Sequence, residues 1–206
     1  MGTLNFLTGN PGKLSEAQEL LGPLGVEVQS FRIEGEQPDI IEPQSENLTT
    51  VALAKIAQGV ELLAAEDRLH EMLLVEDSGL FIDALPDFPG VYSSFVFKSL
   101  GCEGILKLLE DNRDARFMTA AALWTGEAVE VFIGVCEGEI SREIRGEDGF
   151  GYDPIFVPHD DTQGRTFAQL KSEEKSSMSH RGKALRALYD YLAGTEPSVG
   201  IPKTDP

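Results

Sequence analysis

Apolar residues recur along the first half of the chain with the spacings of alternating strands and helices. In order, this half is predicted to contain a buried strand over residues 3–8, a helix over 11–22, an alternating strand over 26–31, a polar loop over 32–47, a helix from Asn47 to about 66 and a wholly apolar strand over 72–76. A strand that is apolar throughout is typical of the middle of a sheet. Because strands and helices alternate here, the pattern favours an α/β architecture.

The second half adds antiparallel strands. It is predicted to contain a turn-rich segment over 77–92, helical stretches near 92–100 and 103–111, strands over 115–125 and 128–136 joined by a turn at Gly126-Glu127, a loop with one short strand over 146–158, and a final helix from Ser179. The resulting fold class is α/β, with a mixed central β-sheet flanked by helices and two lobes with a cleft between them. We expect a single domain over residues 1–193 and a disordered tail over 194–206, where the periodicity is lost.

The charge of the chain narrows the classes of partner. Its 206 residues include 35 acids against 17 bases, a net charge of −18, which argues against binding to nucleic acid or to an anionic membrane surface. A small phosphorylated ligand is compatible with this charge where a local basic pocket and a divalent cation offset the repulsion. The acidity is also compatible with adaptation to a salt-rich cytoplasm.

Neither export nor a membrane span is expected. The chain has no run of 18 apolar residues, and the N-terminal MGTLNFLT has no basic leader and no long apolar core. Cys102 and Cys136 stand far apart without histidine neighbours, so reduced core thiols are expected rather than a disulfide or a metal site. These features together predict a cytoplasmic protein.

The stretch TGNPGK stands where the first predicted strand ends and a helix begins. Asn10 can cap a helix that has Pro11 at its first position, so an ordinary turn is one interpretation. A phosphate site is the other, because a glycine-rich turn at a helix N-terminus presents backbone N–H groups and the positive end of the dipole, with Lys13 beside them. A Walker loop is excluded, since only two residues separate the two glycines.

Two adjacent carboxylates, Glu76 and Asp77, stand in VEDSGLFIDAL where a strand is predicted to end. Adjacent side chains on a strand point to opposite faces, but at a strand end the backbone can turn both toward one cleft. Paired carboxylates near phosphates suit magnesium, and one acid can take a proton from water. A solvated strand end followed by a Ser-Gly turn is the alternative interpretation.

The stretch GFGYDPIF at 149–156 has the composition of a pocket for a flat ring. Its glycines let the backbone approach a ligand closely. Phe150 or Tyr152 could stack on a heterocycle while Asp153 or backbone groups read its edge. A glycine-rich turn with aromatic core anchors is the alternative.

A basic cluster lies in LKSEEKSSMSHRGKAL, within an otherwise acidic chain. Its members are Lys171, Lys175, His180, Arg181 and Lys183. Ser179 is a suitable N-cap, which would place two of these cations on the first turn of a helix, where the dipole disfavours them by about 0.3–1 kcal/mol. Their position there favours a bound anion, and a solvated basic patch is the alternative.

Taken in order, TGNPGK, VEDSGL, PGVYSS, GFGYDPIF and EEKSSMSHRGKAL resemble the motifs of the inosine triphosphate pyrophosphatase family, from about residue 5 to 192. The resemblance implies the fold of that family and an enzyme that works with Mg²⁺, usually as a homodimer. Its substrates would be small-molecule purine nucleoside triphosphates such as ITP, dITP and XTP. The products would be the monophosphate and pyrophosphate, so that unusual purines are removed from the nucleotide pool.

The resemblance also implies roles for individual residues. Asp77 is implied as the general base, residues 8–13 and Lys55 as triphosphate contacts, and residues 150–153 as the base pocket. The complete implied set of substrate-binding residues is Thr8, Gly9, Asn10, Pro11, Gly12, Lys13, Lys55, Asp77, Ser78, Phe150, Gly151, Tyr152, Asp153, Lys175, His180 and Arg181. The implied metal ligands are Glu42, Glu76 and Asp77.

Two positions depart from the family pattern. The metal-binding glutamate upstream of Lys55 fits Glu42 best, but a proline follows it, and Glu36 and Glu46 are rivals. Serines follow the PGVY turn where some members have a lysine, so Lys13, Lys55 and magnesium are expected to neutralise the phosphates. Two other classes of function stay open, a nucleotide-binding protein without turnover and an NTPase that acts at the γ-phosphate.

Overall fold

The computed structural model describes residues 2–195 of the chain, and the predicted tail lies outside them from residue 196 onward. The strands are β1 Thr3–Phe6, β2 Glu27–Ser30, β3 Met72–Ile82, β4 Leu85–Gly90, β5 Asp114–Trp124, β6 Val129–Ile140 and β7 Phe156–Pro158. The α-helices are α1 Pro11–Leu21, α2 Leu48–Ala65, α3 Ser93–Leu108, α4 Ser172–Met178 and α5 His180–Ala193. Short 3₁₀ turns occupy Gly22–Leu24, Asp153–Ile155 and Phe167–Gln169.

All seven strands form one sheet in the order β2-β1-β3-β5-β6-β7, with β4 also paired to β3. β1 runs parallel to β2 and to β3, whereas the other pairs are antiparallel. The predicted mixed α/β sheet is therefore confirmed. The division into two lobes stays a prediction.

One edge of β3 is interrupted. β5 pairs with β3 along one side from Leu73 to Ile82. On the other side, β1 pairs with β3 only over Met72–Leu74, and β4 pairs only from Leu80 onward. Residues 75–79 consequently have no strand partner on that side, and side chains from both faces of the sheet can reach this opening.

Helices cover both faces of the sheet around this opening. The apolar face of α2 packs on β3 and β5 through residues such as Ile56 and Leu63, against Val75. On the opposite face, α1 and α5 enclose a second cluster that includes Leu74 and Leu185. By length and composition alone, α2 is the one helix in the described chain that could cross a membrane, and one of its faces packs on the sheet.

The structure corrects the prediction at two places and confirms it at a third. β3 continues to Ile82 and β4 follows, where a turn-rich segment was predicted, because Asp77, Ser78 and Gly79 take part in the ladder with β5 despite their turn-forming composition. The two helical stretches predicted after residue 92 are confirmed, since Gly101 within α3 has a non-helical backbone, with φ 62° and ψ −169°, and separates them. α4 was not predicted, since six of its seven residues are polar and carry no apolar periodicity.

Candidate active site

A cavity of about 750 Å³ opens beside the interrupted edge of β3. Residues from all four motifs line it, although they are distant in the chain. The predicted site residues that line the cavity are Thr8, Gly9, Asn10, Pro11, Lys13, Glu42, Lys55, Glu76, Asp77, Ser78, Phe150, Gly151, Tyr152, Asp153, Lys175, His180 and Arg181. Gly12 is the one predicted site residue that does not.

The TGNPGK turn begins α1. The Asn10 side chain accepts hydrogen bonds from the amides of Gly12 at 2.9 Å and Lys13 at 3.3 Å, and Pro11 occupies the first helical position. These two amides are thus satisfied by the cap, which leaves the Lys13 ammonium as the cationic group of the turn. A Cβ on Gly12 would lie 2.8 Å from the Phe150 ring, so Gly12 lets the 149–153 loop close against α1 behind the cavity wall.

Asp77 holds an unsatisfied carboxylate oxygen. Its Oδ1 lies 3.4 Å from Lys55 Nζ, whereas Oδ2 is buried and has no hydrogen-bond partner among residues 2–195. Burial raises the pKa of Asp77 to about 6, against the opposing effect of the Lys55 and Lys13 charges. A buried carboxylate oxygen without a hydrogen-bond partner lowers the stability of the protein. Such an oxygen can take up a proton or bind a metal ion.

Lys55 connects Asp77 to the long polar loop before α2. Its ammonium donates to Glu42 Oε1 at 2.7 Å and to the Glu76 carbonyl at 3.1 Å, on the open edge of β3. Burial lowers the pKa of Lys55, but Asp77 and Glu42 outweigh it and hold this pKa above its usual value. Of the three candidate upstream acids, only Glu42 lines the cavity, while Glu36 and Glu46 are exposed elsewhere. Glu42, Lys55 and Asp77 form what we call the Asp77 side.

Glu76 lies on the opposite face of β3, because consecutive residues of a strand alternate. Its carboxylate accepts from Arg181 Nε and Nη2 at 2.9 Å, and Lys13 Nζ lies 2.9 Å away. Burial raises the pKa of Glu76, but the Arg181 and Lys13 charges outweigh it and hold that pKa well below its usual range. Both oxygens are therefore engaged, and the structure does not bring this carboxylate to Asp77.

The predicted metal ligands are consequently divided between two faces of the sheet. Glu42 and Asp77 share one ammonium on the α2 face, while Glu76 is paired on the α5 face. Within residues 2–195, no three His, Cys, Asp or Glu side chains gather into a ready metal site. The explanation that both acids turn into the cleft at a strand end is wrong, since β3 continues past them.

Glu16 on α1 joins the basic residues of the last two helices. It accepts from Lys175 Nζ at 2.7 Å and also from Arg181 Nη1. Lys175 Nζ additionally lies 2.8 Å from Asp153 Oδ2. Glu16, Glu76, Asp153, Lys175 and Arg181 form a buried ionic network that we call the Arg181 side. Sequence analysis missed Glu16, although its position three residues after Lys13 places it on the same face of a helix.

His180 is buried at the start of α5 and stacks on Phe117, with ring centroids 4.6 Å apart. Burial, together with the Arg181 charge, lowers the pKa of His180 well below its usual value, so the imidazole is neutral at pH 7. Its Nδ1 has no hydrogen-bond partner in the described chain. A Cβ on Gly134 would collide with the His180 carbonyl, so this glycine allows α5 to approach β6 closely.

The two aromatic residues of the 149–153 loop differ in burial. Tyr152 is buried and donates from its hydroxyl to the Ser93 carbonyl at 3.1 Å. Asp153 Oδ2 accepts from the Phe150 amide at 2.7 Å and shapes the loop. The Phe150 ring is half-buried, with Lys175 Nζ 4.9 Å and Arg181 Cζ 5.5 Å from its centroid. Of the two predicted stacking residues, Phe150 is the better placed to meet a ligand ring.

Several cavity residues were not predicted. Among them are Gln37, Asp39, Phe97, Lys98 and Phe117. Phe97 packs edge-on against Tyr152, with ring centroids 5.2 Å apart, and so fixes α3 to the 149–153 loop. No local motif marks these residues, because they reach the cavity through the packing of α3, β5 and the 32–47 loop.

Comparison with known proteins gives concordant similarities along nearly the whole chain. A model of the Ham1 family matches residues 4–191. The dITP/XTP pyrophosphatase of Thermococcus kodakarensis is 45% identical over 191 residues, which are 92% of this chain and 96% of that protein. The dITP/XTP pyrophosphatase of Pyrococcus horikoshii is 43% identical over 189 residues, 91% of this chain and 95% of that protein.

Solved structures agree with the sequence comparisons. A HAM1 protein from Coxiella burnetii has a TM-score of 0.79 and 34% identity, covering 95% of this chain and 100% of its own. The Ham1 protein of Staphylococcus aureus has a TM-score of 0.76 and 28% identity, covering 93% and 98% respectively.

Proposed function

The chain belongs to the Ham1 family, and from that membership we propose that it hydrolyses dITP and XTP, the compounds in the names of its curated relatives, together with ITP. The products would be the nucleoside monophosphate and pyrophosphate. The observation that carries the proposal is the buried, unpartnered Oδ2 of Asp77 in a cavity whose opposite wall is a fixed array of cationic donors. One group can accept a proton while the others hold an oxo purine nucleotide.

A divalent cation, which we propose to be Mg²⁺, fits the Asp77 side. The unpartnered Oδ2 of Asp77 and the half-exposed carboxylate of Glu42 are hard oxygen donors, and magnesium takes one or two carboxylates together with substrate phosphates. Glu42 and Asp77 would hold the ion, with Glu76 restricted to its ion pairs. When bound, it would supply positive charge to the phosphate oxygens.

The residues of this chain would act as follows. Asp77 would orient a water molecule and accept its proton as the water oxygen forms a bond to the α-phosphorus. The bond from that phosphorus to the bridging oxygen would break, and pyrophosphate would leave with the electron pair. Lys13 and Lys55 would exchange their present carboxylate partners for phosphate oxygens, which lysine can do because its charge sits on a flexible stem.

Base selection would come from the Arg181 side. Most N–H groups of Arg181 are held by Glu76, Glu16 and Ser78, and the cation is fixed by these bonds before a ligand arrives. The remaining N–H groups of Arg181 and Lys175 can donate to a 6-oxo group. The amino group of adenine would meet them donor to donor and leave buried polar groups unpaired, which costs about 1–3 kcal/mol per group.

The test is a product analysis with ITP, XTP, dITP, GTP and ATP in the presence of Mg²⁺. We expect pyrophosphate from the inosine and xanthosine nucleotides and much slower turnover of ATP. Release of orthophosphate alone would support cleavage at the γ-phosphate instead. Tight nucleotide binding with no product would indicate a binding protein without turnover.

We also propose that the protein is a homodimer. Phe95 is 72% exposed and Tyr92 47% exposed on α3 and the turn before it, and exposed aromatic residues of this kind support an association surface. Light scattering coupled to size-exclusion chromatography would give the mass directly. A monomer at micromolar concentration would contradict the proposal.

A further inference from the structure

Lys98 is the one cavity-lining lysine or arginine without an ionic partner in the described chain. The other four are each paired with carboxylates: Lys13 with Glu76, Lys55 with Glu42 and Asp77, Lys175 with Glu16 and Asp153, and Arg181 with Glu16 and Glu76. Lys98 lines the same cavity and forms no hydrogen bond or ion pair with residues 2–195. Its charge is therefore available to a ligand without the loss of an existing pair.

The charge balance of the cavity makes this lysine important. Five lysine or arginine and five acidic side chains line the cavity, together with the neutral His180, so their formal charges cancel. The chain as a whole carries −18. The negative charge of the protein would repel an entering triphosphate chain. Each cation that is already paired must also break or weaken its ion pair with a carboxylate before it can bind a phosphate. Lys98 can bind a phosphate oxygen without that penalty.

The position of Lys98 on α3 suits a role at the cavity wall. Ser94 and Lys98 are four residues apart on one helix face, and both line the cavity. The helix is fixed at its first turn, where the Ser93 hydroxyl accepts from the Leu80 amide at 2.8 Å and donates to the Gly90 carbonyl. The backbone that carries Lys98 is thus anchored to β3 and β4, and only the lysine stem needs to move.

We propose that Lys98 binds the β- and γ-phosphates of the substrate, as a third lysine beside Lys13 and Lys55. The inference rests on the proposed function, since it assumes a nucleoside triphosphate in this cavity. Lysine binds phosphate as a point charge, so arginine at this position retains the contact and alanine removes it.

Steady-state kinetics with dITP tests the proposal. Lys98→Ala is expected to raise KM by about 5- to 10-fold with kcat within about twofold, the signature of lost substrate binding through one charged contact at an open wall. Lys98→Arg is expected to restore most of the affinity. The matched control is Lys107→Ala, which removes the same charge from the same helix at an exposed position outside the cavity.

Product inhibition locates the contact within the nucleotide. Lys98→Ala is expected to weaken inhibition by inorganic pyrophosphate about 5-fold and to leave inhibition by dIMP unchanged. An equal loss for dIMP would overturn the assignment to the β- and γ-phosphates, which leave as pyrophosphate. A KM that changes no more in Lys98→Ala than in Lys107→Ala would overturn the proposal while wild-type turnover still supports the enzyme. Absence of turnover in the wild type would instead overturn the proposed function, and the Lys98 proposal with it.

Discussion

Glu76 and Asp77 are neighbours in the chain, yet they belong to two regions with opposite electrostatics. On the Arg181 side, Glu76 is buried between Arg181 and Lys13, and its pKa is held well below the usual range. On the Asp77 side, burial raises the pKa of Asp77 to about 6 and one oxygen has no partner. A carboxylate that is fully paired serves to position its partners, whereas one whose environment opposes its charge is suited to proton transfer.

Replacement of Asp77 gives the largest expected effect on activity. Asp77→Asn keeps the size of the side chain but cannot accept the proton of water, so kcat for dITP is expected to fall by roughly 100-fold or more. Nucleotide binding, measured by calorimetry, should persist. A rate close to that of the wild type would show that Asp77 is not the base. The contrast between Glu76 and Asp77 would then be electrostatic only, without a difference in catalytic role.

Replacement of Arg181 gives the largest expected effect on stability. Arg181→Leu leaves the buried carboxylate of Glu76 and the partly buried carboxylate of Glu16 without their common partner, and we expect the free energy of unfolding in urea to fall by about 3–5 kcal/mol. Lys55→Met is the matched change on the Asp77 side. It should cost only about 1 kcal/mol, because Glu42 is largely solvated and Asp77 can take up a proton. Equal losses for the two variants would abolish the distinction between the two sides.

Asp77→Asn is also expected to stabilise the metal-free protein. Folding raises the pKa of Asp77 from 3.8 to about 6, so its ionisation opposes folding at neutral pH by up to about 3 kcal/mol. The gain should be complete above pH 6 and disappear as the pH falls below 4, where Asp77 is protonated in both states. Urea unfolding in a chelating buffer measures it. Asp39→Asn, at an exposed acid of the same cavity, is the control, and a comparable gain there would argue against the assignment.

The smallest expected effect concerns the contact between α1 and the 149–153 loop. Gly12→Ala places a Cβ 2.8 Å from the Phe150 ring, and we expect it to destabilise the protein by about 1–2 kcal/mol relative to Gly22→Ala. Gly22 is the control at the end of the same helix, where a Cβ would meet nothing within 4 Å. If the two variants have equal stability, the loop can yield at no cost, and the Arg181 side is less rigid than its ion pairs suggest.

Local sequence patterns predicted most of the helices and strands, because the apolar residues that recur at regular spacing are those that face the core in the structure. The first three strands, the first two helices and the hairpin of β5 and β6 all occur close to their predicted positions. The continuation of β3 was not predicted because Ser78 and Gly79 are turn-forming residues, and only the pairing with β5 holds them in a strand.

The candidate site was predictable as a set of residues but not as a pattern of partners. Motifs brought Lys13, Asp77, Phe150 and Arg181 to attention, and the structure gathers them around one cavity. Which carboxylate pairs with which cation depends on the register of β3 and on the approach of α1 to α5. His180 illustrates the difference, since its basic side chain counts as a cation in the sequence and is neutral in its buried position.

At the interrupted edge of β3, the residues proposed for base recognition and those proposed for hydrolysis come from opposite faces of the sheet. From Leu74 to Leu80 the gap spans about 20 Å at the usual rise of a strand, and side chains from both faces of the sheet line one cavity beside it. Under the proposed function, purine discrimination and hydrolysis would depend on side chains from opposite layers, which consecutive positions of a single strand join. Selection can alter one layer while the other is preserved, and an existing hydrolytic centre can in this way be redirected toward a different damaged nucleobase.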